Sequence, residues 1–228
     1  LEELDFQGAS DAGVPASVRR TLEAHSLLGA TATAELRAGD LAAGELAAAE
    51  RRVGDATAML RTLCAAPIPG AGFALSQVAV EAGMREWRFD LSVKQFSVQR
   101  FAAALTAHGS PHARGYAPAL ARLQDATFAG YLTGVLDLAF EHDGRWWVMD
   151  WKSNWLGASD DDYASAALDA AMREAHYTLQ YHLYLVALHR HLRARQPGYD
   201  PARHWGGVAY VFLRGVTGEG ENGWFRDQ

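Results

Sequence analysis

The hydrophobic pattern changes period several times along this chain. In residues 17–28 the apolar positions fall at Val18, Leu22, Leu27 and Leu28, and in residues 41–63 Ala and Leu recur among Glu45, Glu50, Arg51 and Arg52. Both segments read as helices, the second with Asp40 as its N-cap. Pro67-Ile68-Pro69-Gly70 closes this part. Residues 85–93 then alternate aromatic and β-branched with charged positions, which predicts a strand. Residues 95–123 read as short helices and loops around Pro111 and Pro118. Residues 128–141 and 145–152 form two more strand-like runs, joined by Asp143-Gly144, a strong hairpin signal. Residues 160–195 carry one long helical pattern, stopped at Pro197-Gly198, and residues 205–213 read as a last strand. The glycine-rich residues 216–228 read as a flexible end.

Helices, strand, hairpin, helix, strand is the order of an α/β (α+β) protein with a small mixed sheet. At 228 residues the chain is long for one domain and short for two. The expected organisation is an N-terminal helical subregion (residues 1–70) packed on a core spanning 71–215.

The hairpin has a consequence for chemistry. With an even loop centred on Asp143-Gly144, paired residue numbers sum to the same value as Asp137 and Asp150, so these two carboxylates should oppose each other. Alternation puts Asp150 and Lys152 on one face of the strand. The other face carries Leu136, Leu138 and Phe140 opposite Trp147, Met149 and Trp151, and should be the core. Two opposed carboxylates destabilise a sheet unless something compensates them. One lysine offsets part of the cost, and a divalent cation held by oxygen ligands offsets more. The bland alternative is a strand-borne salt bridge. The same trio also meets the needs of phosphodiester hydrolysis, in which a carboxylate-held cation polarises phosphate and water and a lysine balances developing charge.

Composition narrows the classes. Hydrophobic residues make up 49% and charged residues 21%, an ordinary globular balance. No apolar run is long enough for a membrane span, and nothing reads as a secretory signal. The single Cys64 excludes an internal disulfide and a cysteine zinc cluster, and fits a reducing, cytoplasmic setting. A net charge of −6 argues against gripping nucleic acid by bulk electrostatics. It leaves open an enzyme that touches phosphate through a carboxylate-bound metal. No G-x-x-x-x-G-K-[ST] loop occurs, so ATP binding is not expected.

These residues also carry a family likeness. Gly134-Val135-Leu136-Asp137 followed by Val148-Met149-Asp150-Trp151-Lys152 resembles the core of the PD-(D/E)xK nucleases, and Gln180-Tyr181-His182-Leu183-Tyr184 matches the Q-x-x-x-Y helix motif of their RecB-like branch. The extension Ser153-Asn154-Trp155-Leu156-Gly157 and the stretch Gly206-Gly207-Val208 through Arg214-Gly215 resemble the nuclease domains of RecBCD-type helicase–nucleases in particular. The resemblance implies a restriction-endonuclease-like fold and a metal-dependent DNA exonuclease of the exodeoxyribonuclease V type, acting in double-strand-break repair and recombination in the bacterial cytoplasm. It implies Asp137, Asp150 and the main-chain carbonyl of Trp151 as metal ligands, and Lys152 as the catalytic lysine. It further implies Glu86 as an additional catalytic acid, with Gln180 and Tyr184 positioning the DNA or the lysine. The implied cofactor is Mg²⁺, with Mn²⁺ possible and Ca²⁺ able to occupy the site. The implied partners are single-stranded DNA ends, RecC- and RecD-type subunits and a RecA-type recombinase, with ATP dependence belonging to a parent helicase. The family also has a metal-ligating His on its first helix. Residues 1–6 resemble the end of that helix, so the His would fall just before Leu1. Alternative readings are a nuclease fold kept as a non-catalytic DNA-binding or scaffold module, and a stand-alone nuclease of the same superfamily.

Four tryptophans, Trp146, Trp147, Trp151 and Trp155, cluster near this motif. Alternation assigns Trp147 and Trp151 to the core and leaves Trp155 more open. His176 lies one helical turn before Gln180, within reach of either the site or a structural role. Arg190, Arg193 and Arg195 suit the C-terminal end of a helix dipole.

Overall fold

The computed structural model describes residues 4–9, 11–25, 27–28, 43–123 and 127–228. The anticipated Asp40 cap and the start of the Leu1–Phe6 segment lie outside the described residues. Helix α1 (Val14–Ala24) and helix α2 (Ala43–Ala65) pack through Val14, Val18, Ala49 and Val53. The far end of α2 delivers Leu63 and Cys64 to the sheet, beside Phe6 and Ile68. Burial there pushes the Cys64 thiol up to about 11, which leaves little thiolate at neutral pH.

Strand β1 (Gly83–Ser97) runs longer than its sequence pattern predicts and leads straight into α3 (Val98–His108) and α4 (Pro111–Ala121). Both helices start at a serine whose hydroxyl accepts a backbone N–H: Ser97 from Arg100 at 3.2 Å and Ser110 from Ala113 at 3.1 Å. Next come β2 (Thr127–His142), β3 (Arg145–Lys152), α5 (Ser165–Glu174), α6 (Tyr177–Arg195), β4 (Trp205–Phe212) and β5 (Trp224–Asp227). Among the described residues the strands form one mixed sheet, ordered β1-β2-β3-β4-β5. All neighbours are antiparallel except β3 and β4, whose parallel pairing needs the crossover through α5 and α6. No helix among the described residues is long and apolar enough to cross a membrane.

The β2–β3 turn has φ of 50° at Asp143 and 75° at Gly144, the two positive values of a tight hairpin turn. From it the ladder runs His142↔Arg145, Glu141↔Trp146, Phe140↔Trp147, Ala139↔Val148 and Leu138↔Met149. This is the even-loop register.

The sheet is buried on both faces, which corrects the expectation of a single core face. One core joins Leu138, Phe140, Trp147, Met149, Ala209 and Val211 to the end of α2. The other places Ala139, Val148, Val208 and Tyr210 under Tyr181, Tyr184 and Leu188 of α6. Each fully buried Leu or Phe contributes about 1.5–3 kcal/mol. Leu136 joins the second core, not the first as its spacing from Leu138 predicts. Residues two apart on a strand normally share a face. Strand β2 therefore turns over at Asp137.

Two further expectations need correction. The long helical pattern is broken at Ala175–His176, where His176 takes φ 55° and caps α6. The glycine-rich end does not fray: Val208↔Asp227 to Val211↔Trp224 pair it to β4, and Trp224 and Phe225 are buried. A four-residue strand among glycines has too short a pattern to read, and packing supplies what propensity lacks.

Candidate active site

Strand β3 positions two of the anticipated residues directly. Asp150 is 2% exposed and Lys152 lies two residues on, facing the same way under α6. The Lys152 ammonium forms an ion pair with Asp150 Oδ1. It also donates to Gln180 Oε1 at 3.2 Å, and stands 4.0 Å from the Tyr177 ring centroid and 4.9 Å from that of Tyr210. The Tyr210 hydroxyl donates to the same Gln180 oxygen at 2.9 Å. The lysine is thus held by a carboxylate, an amide oxygen and two aromatic faces.

Asp137 does not complete a cross-strand pair as the register arithmetic alone predicts. The backbone ladder stops at Leu138↔Met149, and the Trp151 N–H donates instead to Asp137 Oδ2 at 2.9 Å. A side chain has replaced a main-chain carbonyl in the ladder, so the strands separate where the carboxylates lie. On the neighbouring strand Glu86 is skipped between Arg85↔Leu138 and Trp87↔Leu136 and takes φ 46°. A non-glycine residue in that region costs about 1–3 kcal/mol and persists only where its surroundings fix it. The left-handed backbone at Glu86 and the turnover at Asp137 face each other across an unchanged register. Together they aim residues of β1 and β2 at the Asp150 side of the sheet.

Helix α6 closes the cluster. Gln180 and Tyr184, one turn apart, both reach it, as helical spacing predicts. Burial raises the Tyr184 hydroxyl pKa, and the charges of Asp150, Asp137 and Glu86 raise it further. The phenol therefore stays protonated and donates to Asp150. Asp150 itself is pushed up to about 6, chiefly by burial. The Lys152 ammonium opposes that rise and the Asp137 charge adds to it. Despite the ion pair, Asp150 Oδ1 accepts no well-directed hydrogen bond among the described residues. The Lys152 ammonium therefore offsets only part of the desolvation cost of this carboxylate, and burial outweighs it.

Among the described residues no three His, Cys, Asp or Glu side chains converge into a metal cage. The donors on hand are carboxylate and main-chain oxygens. That set of hard oxygen donors fits a hard divalent cation better than zinc or a softer metal.

Sequence reasoning missed Tyr177 and Tyr210. Tyr177 sits three residues before Gln180 and so on the same helix face, and Tyr210 is in register with Asp150. Those positions were the available signal, but neither marks a cation–π contact in advance. Asn154 was also missed: its side-chain oxygen accepts from the Tyr177 hydroxyl at 3.2 Å. His176 turns away from the site and meets the Tyr116 hydroxyl at 2.7 Å. Trp147 is buried, Trp151 packs against the same core and Trp155 is exposed. Arg190 reaches the Ser92 carbonyl at 3.2 Å, while Arg193 and Arg195 occupy the last turn of α6.

Comparison with known proteins agrees with this geometry. The chain is 38% identical over 163 residues to the RecBCD enzyme subunit RecB of Escherichia coli (strain K12), covering 72% of this chain and 14% of that protein. It is 39% identical over 158 residues to RecBCD enzyme subunit RecB of Haemophilus influenzae, covering 69% of this chain and 12% of that protein. The match to RecBCD enzyme subunit RecB of Mycobacterium tuberculosis is 38% over 162 residues, 65% of this chain and 15% of the relative. The chain thus spans only a small part of the length of the relatives it matches. The sequence profile of the PD-(D/E)XK nuclease superfamily matches residues 18–226, essentially the whole sheet and its flanking helices, and the chain belongs to that superfamily.

Proposed function

We propose that this chain hydrolyses phosphodiester bonds of DNA as the metal-dependent nuclease of a RecBCD-type helicase–nuclease. The observation that carries this reading is the Asp150 carboxylate. It is buried and its pKa is raised even though the Lys152 ammonium pairs with it, and the Asp137 charge lies close enough to add to that rise. As a structural salt bridge the pair offsets only part of the cost of burying that carboxylate; as a ligand set the arrangement has a use.

Nucleases of this superfamily typically use divalent metals. Asp137, Asp150 and the Trp151 main-chain carbonyl are the residues that would hold such an ion, Mg²⁺ foremost, with Glu86 as an additional acid. When bound it polarises the phosphate and lowers the pKa of its water. The protein's own groups do the rest. Lys152 keeps a fixed positive charge beside the reacting phosphate, where charge builds up in the transition state. Gln180 Oε1 holds the ammonium in position, and Tyr210 holds that amide in turn. Tyr184 donates to Asp150 and favours its ionised, ligating form. The acidic net charge suits a substrate delivered by a helicase, since a threaded strand needs little long-range attraction. The likeness to RecB subunits of RecBCD enzymes supports RecC- and RecD-type partners, and the same reading extends to a RecA-type recombinase and a role in break repair.

The test is cleavage of end-labelled single-stranded DNA with Mg²⁺ and with EDTA. Cutting should require the metal and be lost in Asp150→Ala and Lys152→Ala. Unchanged cutting in both variants removes the assigned roles. A thermal shift with Mg²⁺ or Mn²⁺ that follows ligand linkage, and vanishes in Asp150→Ala, supports the ligand set independently.

A further inference from the structure

Trp155 exposes 66% of its surface, whereas Trp147 and Trp224 are each 5% exposed. A single exposed aromatic is unremarkable on a loose loop, but this loop is braced. The buried Tyr163 donates its hydroxyl to the Asn154 carbonyl at 3.4 Å and accepts the Leu156 N–H at 3.2 Å, gripping the backbone on both sides of Trp155. The Asn154 side chain is tied to Tyr177, the residue whose ring faces Lys152 Nζ. Arg214 Nε donates to the Ser153 carbonyl at 3.2 Å, and its guanidinium lies 5.8 Å from the Trp155 ring centroid. Ser153, Asn154 and Leu156 each have a hydrogen-bond partner, and what they hold outward is an indole.

We propose that Trp155, backed by Arg214, is a stacking platform for a nucleobase of the single strand being cut. This deepens the nuclease reading and rests on it. Three residues of chain span at most about 11 Å. The indole therefore stands within reach of the nucleotides next to the phosphate at Lys152. Base–aromatic stacking tolerates any sequence, as a processive nuclease requires, because every base has a π-face. It also supplies the affinity that a chain of net charge −6 does not gain from bulk electrostatics. Arg214 adds a local cation for the phosphate and polarises the ring from one side.

The test measures binding by the full chain in EDTA, so that it does not depend on cutting. Trp155→Ala should weaken the Kd for a fluorescent single-stranded oligonucleotide by about 5- to 100-fold. Trp155→Phe should recover most of that loss. An oligonucleotide with one abasic position, scanned along the strand, should bind wild type weakly at a particular position and show no such penalty with Trp155→Ala. A 2-aminopurine at that position should be quenched by wild type alone. Wild-type affinity in Trp155→Ala, or an abasic penalty that persists in it, overturns the platform and makes Trp155 a protein-docking or idle surface residue. Cleavage with and without Asp150→Ala judges the nuclease reading separately, and neither result can stand in for the other.

Discussion

The two ends of the β2–β3 ribbon contrast sharply. Near the turn, five consecutive pairs keep one register, and Leu138, Phe140, Trp147 and Met149 are buried against α2. At the open end the ladder lapses. A carboxylate takes the Trp151 N–H, Leu136 changes face, and the adjoining strand carries Glu86 at φ 46°. A buried acid with a raised pKa sits there as well. One ribbon thus follows every local rule at one end and breaks several at the other. Violations gathered at one place, with the rest of the structure rigid enough to sustain them, are what a functional site looks like.

The most direct way to break this contrast is to remove the cation at the irregular end. Lys152→Ala should lower the cleavage rate by about 10²–10³-fold, the usual effect of losing one preorganised charge at a transition state. Binding of single-stranded DNA in EDTA should change little. Single-turnover cleavage and anisotropy separate the two, and a rate within tenfold of wild type would falsify the role given to Lys152.

How much of the contrast could be read in advance follows from its physics. The regular end is local: Asp143-Gly144 sets the turn, and alternation then fixes each facing pair down to Leu138 and Met149. The i, i+4 spacing of Gln180 and Tyr184 is equally local. The turnover at Asp137 is not, because it depends on a side chain of one strand bonding the backbone of another. The same holds for Glu86, whose left-handed backbone no pattern of neighbours announces. Tyr210 contributes through register across a parallel crossover, and parallel registers are not set by any turn. The helical break at His176 was hidden because helix-favouring residues continue on both sides, Ala-rich before it and Leu-rich after it. Trp224 and Phe225 were hidden because six glycines between Gly206 and Gly223 dominate the composition there.

Truncation in the regular end should separate stability from chemistry. Leu138→Ala removes a side chain that is 1% exposed and leaves a cavity between the sheet and α2. The expected loss is about 3 kcal/mol in urea unfolding, within the usual range for such cavities. Cleavage per folded molecule should be unchanged. A large rate loss at full folding would show that the two ends are not independent.

The irregular end should show itself in pH. The folded Asp150 holds its proton up to about 6, against 3.8 for an unperturbed Asp. Between those values the native state binds more protons than the unfolded chain, so stability falls as pH rises through the window and levels off above it. Asp150→Asn, lacking the charge, should lose that slope and exceed wild type by about 2 kcal/mol at pH 7 in EDTA, taking 1.36 kcal/mol per unit with some relaxation. Saturating Mg²⁺ should reverse the order, because the cation favours the ionised wild-type carboxylate. Urea titrations at pH 4 to 7, with and without metal, decide this; parallel curves for the two proteins in EDTA would remove the desolvation argument.

The smallest effect belongs to the turn itself. A Cβ added at Gly144 meets nothing within 4 Å, so the site has room for a side chain and any penalty there is conformational. Gly144 has φ 75°, where an L residue other than glycine is strained by about 1–2 kcal/mol. Gly144→Ala should therefore cost about 1 kcal/mol in urea, near the lower bound because an exposed turn can relax. Gly144→Asn should cost less, since asparagine tolerates this region better than alanine. Neither should alter cleavage, because the three buried pairs Phe140↔Trp147, Ala139↔Val148 and Leu138↔Met149 hold the register once formed. Equal losses for Ala and Asn would point to a lost contact instead of backbone strain. A drop in cleavage in either variant would mean that a disturbance at the turn travels the length of the ribbon to the carboxylates.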